Sequence, residues 1–357
     1  MLALLIAATS FAGGNTNDLV HALREATNQD VVIVRGQPAD KALEALEFDP
    51  SSTDAMNNVF RPKYDLRVIP GSMPLFSDDR IPSSMLSGIQ AGTQPVLGRP
   101  DFIGQNNGNP GGRKAFSSDA IQNGKITFRT EKSEFLDMNS LLNGPLAKPV
   151  TMSWVYQDAM PYVEFKGATP SAFLEKVAKG VGARFRETDK AYALELQPEE
   201  FRHRALHSLN SIKQGDTPQS KLTYAKAQLA ASTLNALSSQ QITQCWANPS
   251  SSVTVAIARN GSLLTAVNGY VVALENAPQF MQQQQQDVAV AQEGGPQTRR
   301  QGRGQARQPN VNRQISMALR MADPRRSATV TMSANFHVEV EVPIAAPNGN
   351  PAGSVRF

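Results

Sequence analysis

Residues 161–197, PYVEFKGATPSAFLEKVAKGVGARFRETDKAYALELQ, decide the fold class. In PYVEFKG, Val163 and Phe165 fall on one side of the chain and Tyr162, Glu164 and Lys166 on the other, the two-residue period of a half-buried strand. Thr169 is placed to cap a helix, and Pro170 suits its first position, where no backbone N–H is needed. Phe173, Leu174, Val177, Ala178 and Val181 then recur at helical spacing, with Glu175, Lys176 and Lys179 opposite them. Gly180 and Gly182 read as the left-handed residues that end the helix. Phe185, between Arg184 and Arg186, marks the next strand. Asp189 and Lys190 make a turn, and Tyr192, Leu194 and Leu196 alternate along the last strand. The pattern predicts one helix over one face of a small sheet, and nothing in it is catalytic.

Working outward, the whole chain has 357 residues, enough for two or three domains. Its 35 basic and 31 acidic residues leave a net charge of +4, too small an excess to indicate nucleic acid. Charged residues make up 18%, below the usual quarter or so, and Gln, Asn, Ser and Thr take their place. That composition is common in extracytoplasmic proteins. The single cysteine, Cys245, excludes a disulfide within the chain. Residues 1–12, MLALLIAATSFA, read as a secretory signal peptide, with a short apolar run and a small-x-small end at Ser10, Phe11 and Ala12, although the usual basic start is missing. The alternative for this stretch is a buried first strand. No segment has enough consecutive apolar residues to span a bilayer. A periplasmic or secreted location follows from this reading.

Residues 13–70 repeat the theme of the opening stretch. Leu19, Val20, Leu23 and Ala26 form a helical stripe after Thr16 and Asn17, and residues 31–34, VVIV, form a strand. Pro38 begins a second helix carrying Ala42, Leu43 and Leu46, and Tyr64, Leu66 and Val68 alternate in a further strand after a polar loop. Residues 71–118, rich in proline and glycine, read as a disordered linker. Residues 119–197 are the second and fuller copy. Ile126 and Phe128 give its first strand, residues 135–142 a helix, and Val150, Met152 and Trp154 a strand before the opening stretch closes the unit.

The order helix, apolar strand, amphipathic helix, then short strands resembles the short N-terminal domain of secretins and TonB-dependent receptors. The matching stretches are LVHALREATNQDVVIV and PADKALEAL in the first copy and VEFKGATPSAFLEKVAKGVGARFRETDKAYALEL in the second. The resemblance covers at most half of the chain. It implies noncatalytic docking modules of the periplasm, without a cofactor. The long β-rich pore or receptor domain of those families has no counterpart here.

Residues 198–247 turn helical, with Phe201, Ala205, Leu209 and Ile212 in one stripe and Leu222, Ala225, Leu229 and Leu237 in the next, so a helical hairpin is expected. Residues 248–357 read as an antiparallel β region. Asn260-Gly261 and Asn268-Gly269 separate three short apolar runs and predict a meander with tight turns. Residues 276–314 form a low-complexity insert expected to be disordered, with Arg299, Arg300, Arg303, Arg307 and Arg313 lacking nearby acids. Beyond it, apolar residues alternate from Val330 to Val342 as one long strand. The fold class is therefore α+β: two small secretin-short-domain-like α/β units, a helical hairpin and a C-terminal antiparallel sheet interrupted by a disordered loop.

Candidate chemistry is thin. His203 and His207 lie four apart on a helix, the spacing of a metal pair, but Arg202 and Arg204 surround them and no third ligand follows. Cys245 beside Trp246 lacks a glycine-flanked nucleophile motif and reads as a small buried hydrophobe. Asp78/Asp79 and Glu199/Glu200 adjoin in sequence, so on regular elements they diverge instead of forming an acid–base pair. No catalytic residue, metal or cofactor is assigned. The sequence reads first as a noncatalytic extracytoplasmic docking protein, meeting an envelope protein or another copy through strand edges at Val163/Phe165 and Tyr192/Leu194. Other readings are a secreted hydrolase with an unrecognised site, and a binder of anionic polymers through Arg299–Arg313. Nucleic acid is not expected as a partner.

Overall fold

The computed structural model describes residues 9–36, 42–69, 74–89, 112–257, 261–276, 328–345 and 351–356. They fall into two compact units. The first takes the described residues among 1–85, 98–208 and 246–249, and the second those among 86–97, 209–245 and 250–357.

The first unit contains, in order, β1 (Thr9–Phe11), α1 (Thr16–Thr27), β2 (Val31–Arg35), β3 (Leu46–Phe48), α2 (Thr53–Tyr64), β4 (Arg67–Val68), β5 (Leu75–Ser77), β6 (Arg113–Lys114), β7 (Ile121–Gln122), β8 (Lys125–Arg129), β9 (Phe135–Leu136), α3 (Met138–Leu142), β10 (Val150–Met152), β11 (Met160–Ala168), α4 (Pro170–Val181), β12 (Ala183–Glu187) and β13 (Tyr192–Leu196), and most of α5 (Pro198–Asn210). Its main sheet has six strands in the order β4-β5-β2-β11-β8-β7. β2 runs parallel to β5 and antiparallel to β11. A second sheet, β10-β13-β12, has three strands.

The residue types explain the layering. All of β2 is buried, because both faces of the main sheet are covered. Val31 and Ile33 join Leu19 and Leu23 of α1 and Met56 and Phe60 of α2 in one core cluster. Val32 and Val34 face the other way, toward Gly180 of α4. β11 divides in the same manner. Tyr162 belongs to the α1–α2 cluster, while Phe165 meets Phe173 of α4 edge-on with ring centroids 4.7 Å apart. An unbroken apolar strand such as VVIV is what a sheet covered on both faces requires.

The caps on α1 and α4 follow the local chemistry. The side chain of Asn15 accepts the backbone N–H groups of Asn17 and Asp18, while that of Asp18 accepts the N–H of Asn15. Thr169 accepts the N–H of Ala172, and Gly182 ends α4 with φ +80°.

The mixed α+β class stands, but the two stretches read as separate copies build one sheet and one unit, because β2 and β11 pair. Other expectations are corrected too. The second helix of the first stretch lies at α2, a segment expected to be a polar loop, and Leu46–Phe48 is a strand paired with β1. Its apolar set, Met56, Phe60 and Tyr64, recurs at four-residue intervals among polar neighbours, so the amphipathic face is narrow. The supposed linker contributes β5, whose Leu75, Phe76 and Ser77 are fully buried inside the main sheet, and β6, which pairs with β9. Residues 90–111 of that linker lie outside the described residues. Phe135 and Leu136 are strand, so the helix there begins only at Met138. In the N-terminal stretch, Thr9–Phe11 is a strand with Phe11 buried, as the alternative to a leader describes, and residues 1–8 lie outside the described residues.

The second unit contains α6 (Pro218–Ala236), α7 (Ser239–Cys245), β14 (Ser252–Ala256), α8 (Gly261–Glu275), β15 (Thr329–Ser333), β16 (Val338–Ala345) and β17 (Pro351–Arg356). The helical break before Pro218 falls where expected, though α5 and α6 belong largely to different units. The antiparallel sheet has four strands in the order β14-β15-β16-β17, and α6 packs on α8, β15 and β16.

The expected meander is overturned from residue 261 onward. Residues 261–275 are helical, and Asn268-Gly269 sits inside α8. Leu263, Val267, Tyr270 and Val271 recur at three to four residues and are buried, so helical packing overrides the local turn signal. The expected long strand is a hairpin. Its alternating residues from Val330 to Val342 are all buried, but the N–H of Ser333 donates to the carbonyl of His337 at 2.9 Å, and Phe336 takes φ +63° at the turn between β15 and β16.

Candidate functional site

Of the expected edge residues, none lies on an edge. Val163 and Phe165 are on β11, which is paired on one side with β2 and on the other with β8. Tyr192 and Leu194 are on β13, between β10 and β12. The four side chains are buried. Alternation reveals which face of a strand is covered. It carries no information about whether the backbone has one partner or two, and here the missing partners come from distant segments.

Among the described residues, β12, at the end of the three-stranded sheet, and β14, at the end of the four-stranded sheet, differ in chemistry. β12 carries Arg184, Arg186 and Glu187. Arg186 pairs with Glu195 at 2.5 Å, and Glu187 accepts hydrogen bonds from Lys148 at 2.7 Å and from Ser171 at 2.6 Å. Charge of this kind is how sheet edges are protected from adding further strands.

β14 reads SVTVA and carries no charge. The carbonyl of Ser251 accepts from the N–H of Ala334, and the N–H of Ile257 donates to the carbonyl of Ala328. Antiparallel hydrogen bonding alternates along a strand, so Val253 and Val255 also bond to β15. The N–H and C=O groups of Ser252, Thr254 and Ala256 then point to the outer edge. Ser252 and Thr254 are exposed, and Thr254 Oγ1 lies 2.9 Å from Thr331 Oγ1 on the neighbouring strand. Among the described residues no strand pairs with this edge, which the expected edge strands did not include. The uncharged run SSVTVAI was its signal in the sequence.

The densest polar cluster lies in the first unit, where β2 and β5 end beneath α5. Arg67 donates to Asp79 through Nε at 2.6 Å and Nη2 at 2.8 Å, and also reaches Glu200 at 3.4 Å. Arg204 donates to Glu200 at 2.8 Å and to Ser77 Oγ at 2.9 Å. Arg80 pairs with Asp65. Asp78 is buried, and its carboxylate accepts the backbone N–H groups of Gly36 and Arg80 at 3.0 to 3.1 Å. Burial pushes its pKa up against the pull of those N–H groups. Burial also lowers the pKa of Arg35, while the hydrogen bond to Asp79 raises that of Arg67. The cluster ties α5 to the ends of β4 and β5. Its carboxylates are held by guanidinium or backbone N–H groups, and it has the character of a clamp. Asp78 and Asp79 take separate partners, backbone N–H groups for the first and Arg67 for the second.

His203 is exposed on α5, with Nε2 3.9 Å from Asp79, while Nε2 of His207 is buried with no hydrogen-bond partner. Among the described residues, no group of three His, Cys, Asp or Glu side chains is placed to hold a metal ion. Cys245 is buried, as a small hydrophobe should be. Its thiol lies 3.7 Å from the carbonyl oxygen of Met332, and burial lifts its pKa to about 12, so no thiolate forms near neutral pH. Arg299, Arg300, Arg303, Arg307 and Arg313 lie outside the described residues. No helix among the described residues is long and apolar enough to cross a membrane.

No protein-family model, curated protein or solved structure matches the chain.

Proposed function

We propose that this chain is a noncatalytic docking protein working outside the cytoplasm, and that it adds an extended strand of a partner protein to the outer edge of β14. The reading is carried by that edge: three outward-facing pairs of backbone donors and acceptors on a run with no charge to repel a newcomer. Polar β-branched Thr254 and small Ser252 on the exposed side leave room for an incoming backbone. The main-chain bonds would supply affinity, and the side chains of the added strand would supply selectivity. The likeness of the helix-on-sheet pattern to secretin-type short domains supports the location and the docking role.

The test uses Thr254→Pro. The N–H of residue 254 faces outward, so proline there removes one edge donor and spares the ladder to β15. A photo-crosslinking residue placed at Ser252 should yield a defined adduct with a partner chain in intact cells, and the adduct should vanish when Thr254→Pro is added to the same protein. Adducts that persist unchanged with proline, or no adduct at all, would refute strand addition at this edge. Cell fractionation tests the location: recovery only with cytosolic markers would remove the envelope role.

A further inference from the structure

Below the clamp, the first unit holds a small, partly open cavity of about 20 Å³, lined by Val34, Val155 and Phe201 and by the side chains of Arg35, Arg80 and Arg204. Two of these arginines have hydrogen-bonding capacity left over. Arg35, 8% exposed, donates through Nη1 to the carbonyl of Tyr64 at 3.3 Å, while its buried Nε and Nη2 have no partner. Arg204, 3% exposed, uses Nε and Nη1 on Glu200 and Ser77, and its Nη2 is likewise buried without a partner. Arg35 also makes no ion pair within the described residues. The nearby Asp78 is committed to backbone N–H groups, and Asp65 to Arg80. Asp78 offsets the Arg35 charge at a distance without bonding to it, and a buried guanidinium with unmet donors is penalised.

We infer that this cavity is a binding site for a single-atom monovalent anion of the halide class, held between Arg35 and Arg204. Size and lining both point there. About 20 Å³ admits one water-sized occupant and excludes phosphate or sulfate. The lining side chains supply guanidinium donors and no carboxylate, and the Tyr156 hydroxyl already donates to the carbonyl of Gly182 at 3.0 Å. Such a lining suits an occupant that only accepts hydrogen bonds. A water molecule would bring two protons of its own that need acceptors. The anion also gives Arg35 a directly bonded counter-charge, so it acts as a structural ligand joining β2 to α5.

The experiment melts the full-length chain at constant ionic strength while sodium chloride replaces sodium gluconate, with bromide as a second probe. The melting temperature should rise by about 3–5 °C for each tenfold increase in halide above half-saturation. The response should be lost in Arg35→Met and kept in Arg186→Gln, whose guanidinium is on β12. Crystals grown in bromide give a reading that does not depend on Arg35→Met folding: anomalous density between Arg35 and Arg204 supports the site. Equal melting temperatures in chloride and gluconate, or a water alone in the cavity of bromide-grown crystals, would overturn it.

Discussion

Gly182→Ala should be among the most damaging single-methyl additions to this chain. Gly182 ends α4 with φ +80°, and an L-residue held there is destabilised by about 1–2 kcal/mol. The added Cβ would also stand 2.6 Å from Nε and 3.0 Å from Cζ of Arg204. That guanidinium cannot swing away freely, because Glu200 holds it at 2.8 Å and Ser77 at 2.9 Å. Displacing it sacrifices at least one charged hydrogen bond, about 1.5–3 kcal/mol. Together these predict a loss of about 2.5–5 kcal/mol, the sum of the two ranges. Urea unfolding followed by tryptophan fluorescence reads the correct part of the molecule, since the chain's two tryptophans, Trp154 and Trp246, both belong to the first unit. The double variant Gly182→Ala/Arg204→Ala isolates the contact. With the guanidinium gone, Glu200 loses its tether and its Cγ, 2.9 Å from the added Cβ, is free to move, so the alanine should cost little beyond the backbone part, about 1–2 kcal/mol. An undiminished cost in that background, or a loss below about 1 kcal/mol in the single variant, would show that Arg204 does not constrain the turn.

Gly180→Ala tests close approach instead of backbone conformation: its Cβ would lie 2.9 Å from Val34 and 3.0 Å from Val32, so overpacking of about 1–3 kcal/mol should exceed the helix-propensity gain of about 1 kcal/mol, and a stabilised variant in the same unfolding assay would contradict this packing. Burial lowers the pKa of Lys176 to about 8, and its ammonium donates to the carbonyl of Asp30. Below pH 8 the charged lysine is fully penalised in the folded state, and the penalty fades as pH rises toward the ordinary lysine value of 10.5. Lys176→Met should therefore be more stable by about 1–3 kcal/mol at pH 7 and show little difference at pH 10.5, and an equal difference at both pH values would rule out this linkage. Phe11→Ala should cost about 3 kcal/mol if the strand at Phe11 is retained in the mature protein, since the ring packs in the α1–α2 core. N-terminal sequencing of the chain purified from its native cells decides the matter, and a first residue beyond Ala12 would make that substitution silent.

The sequence was most legible where local signals and tertiary demands agreed. The strand, helix, strand, strand order of residues 161–197, its Thr169 cap and its Gly182 terminator are all as the residue pattern dictates. Gly180 is the exception: it is helical, and its missing side chain lets α4 settle onto β2 and β5. Legibility failed where long-range packing chose between local alternatives. β5 is a short run between Pro74 and Asp78, too brief to show a period, and gains its place from β2 beside it. α8 combines an Asn-Gly pair with a helical apolar stripe, and burial against α6 favours the stripe. The edge of β14 was hidden for a related reason. The Asn-Gly signals predict a meander, in which β14 would have strand neighbours that α8 does not supply. The clamp was visible only as scattered charges, since Arg67, Asp79 and Glu200 come from segments that fold together at the end of the sheet.

The pairing of β2 with β11 has a consequence for synthesis. More than a hundred residues separate Val31 from Glu164, yet they sit opposite each other in the ladder. A nascent chain emerging from the ribosome would present the sticky VVIV segment long before its lasting neighbour exists, and contacts of such wide sequence separation form slowly. During that interval the young polypeptide is open to mispairing, and chaperone protection or delayed compaction until its middle third has appeared would matter more than for a protein assembled from adjacent hairpins.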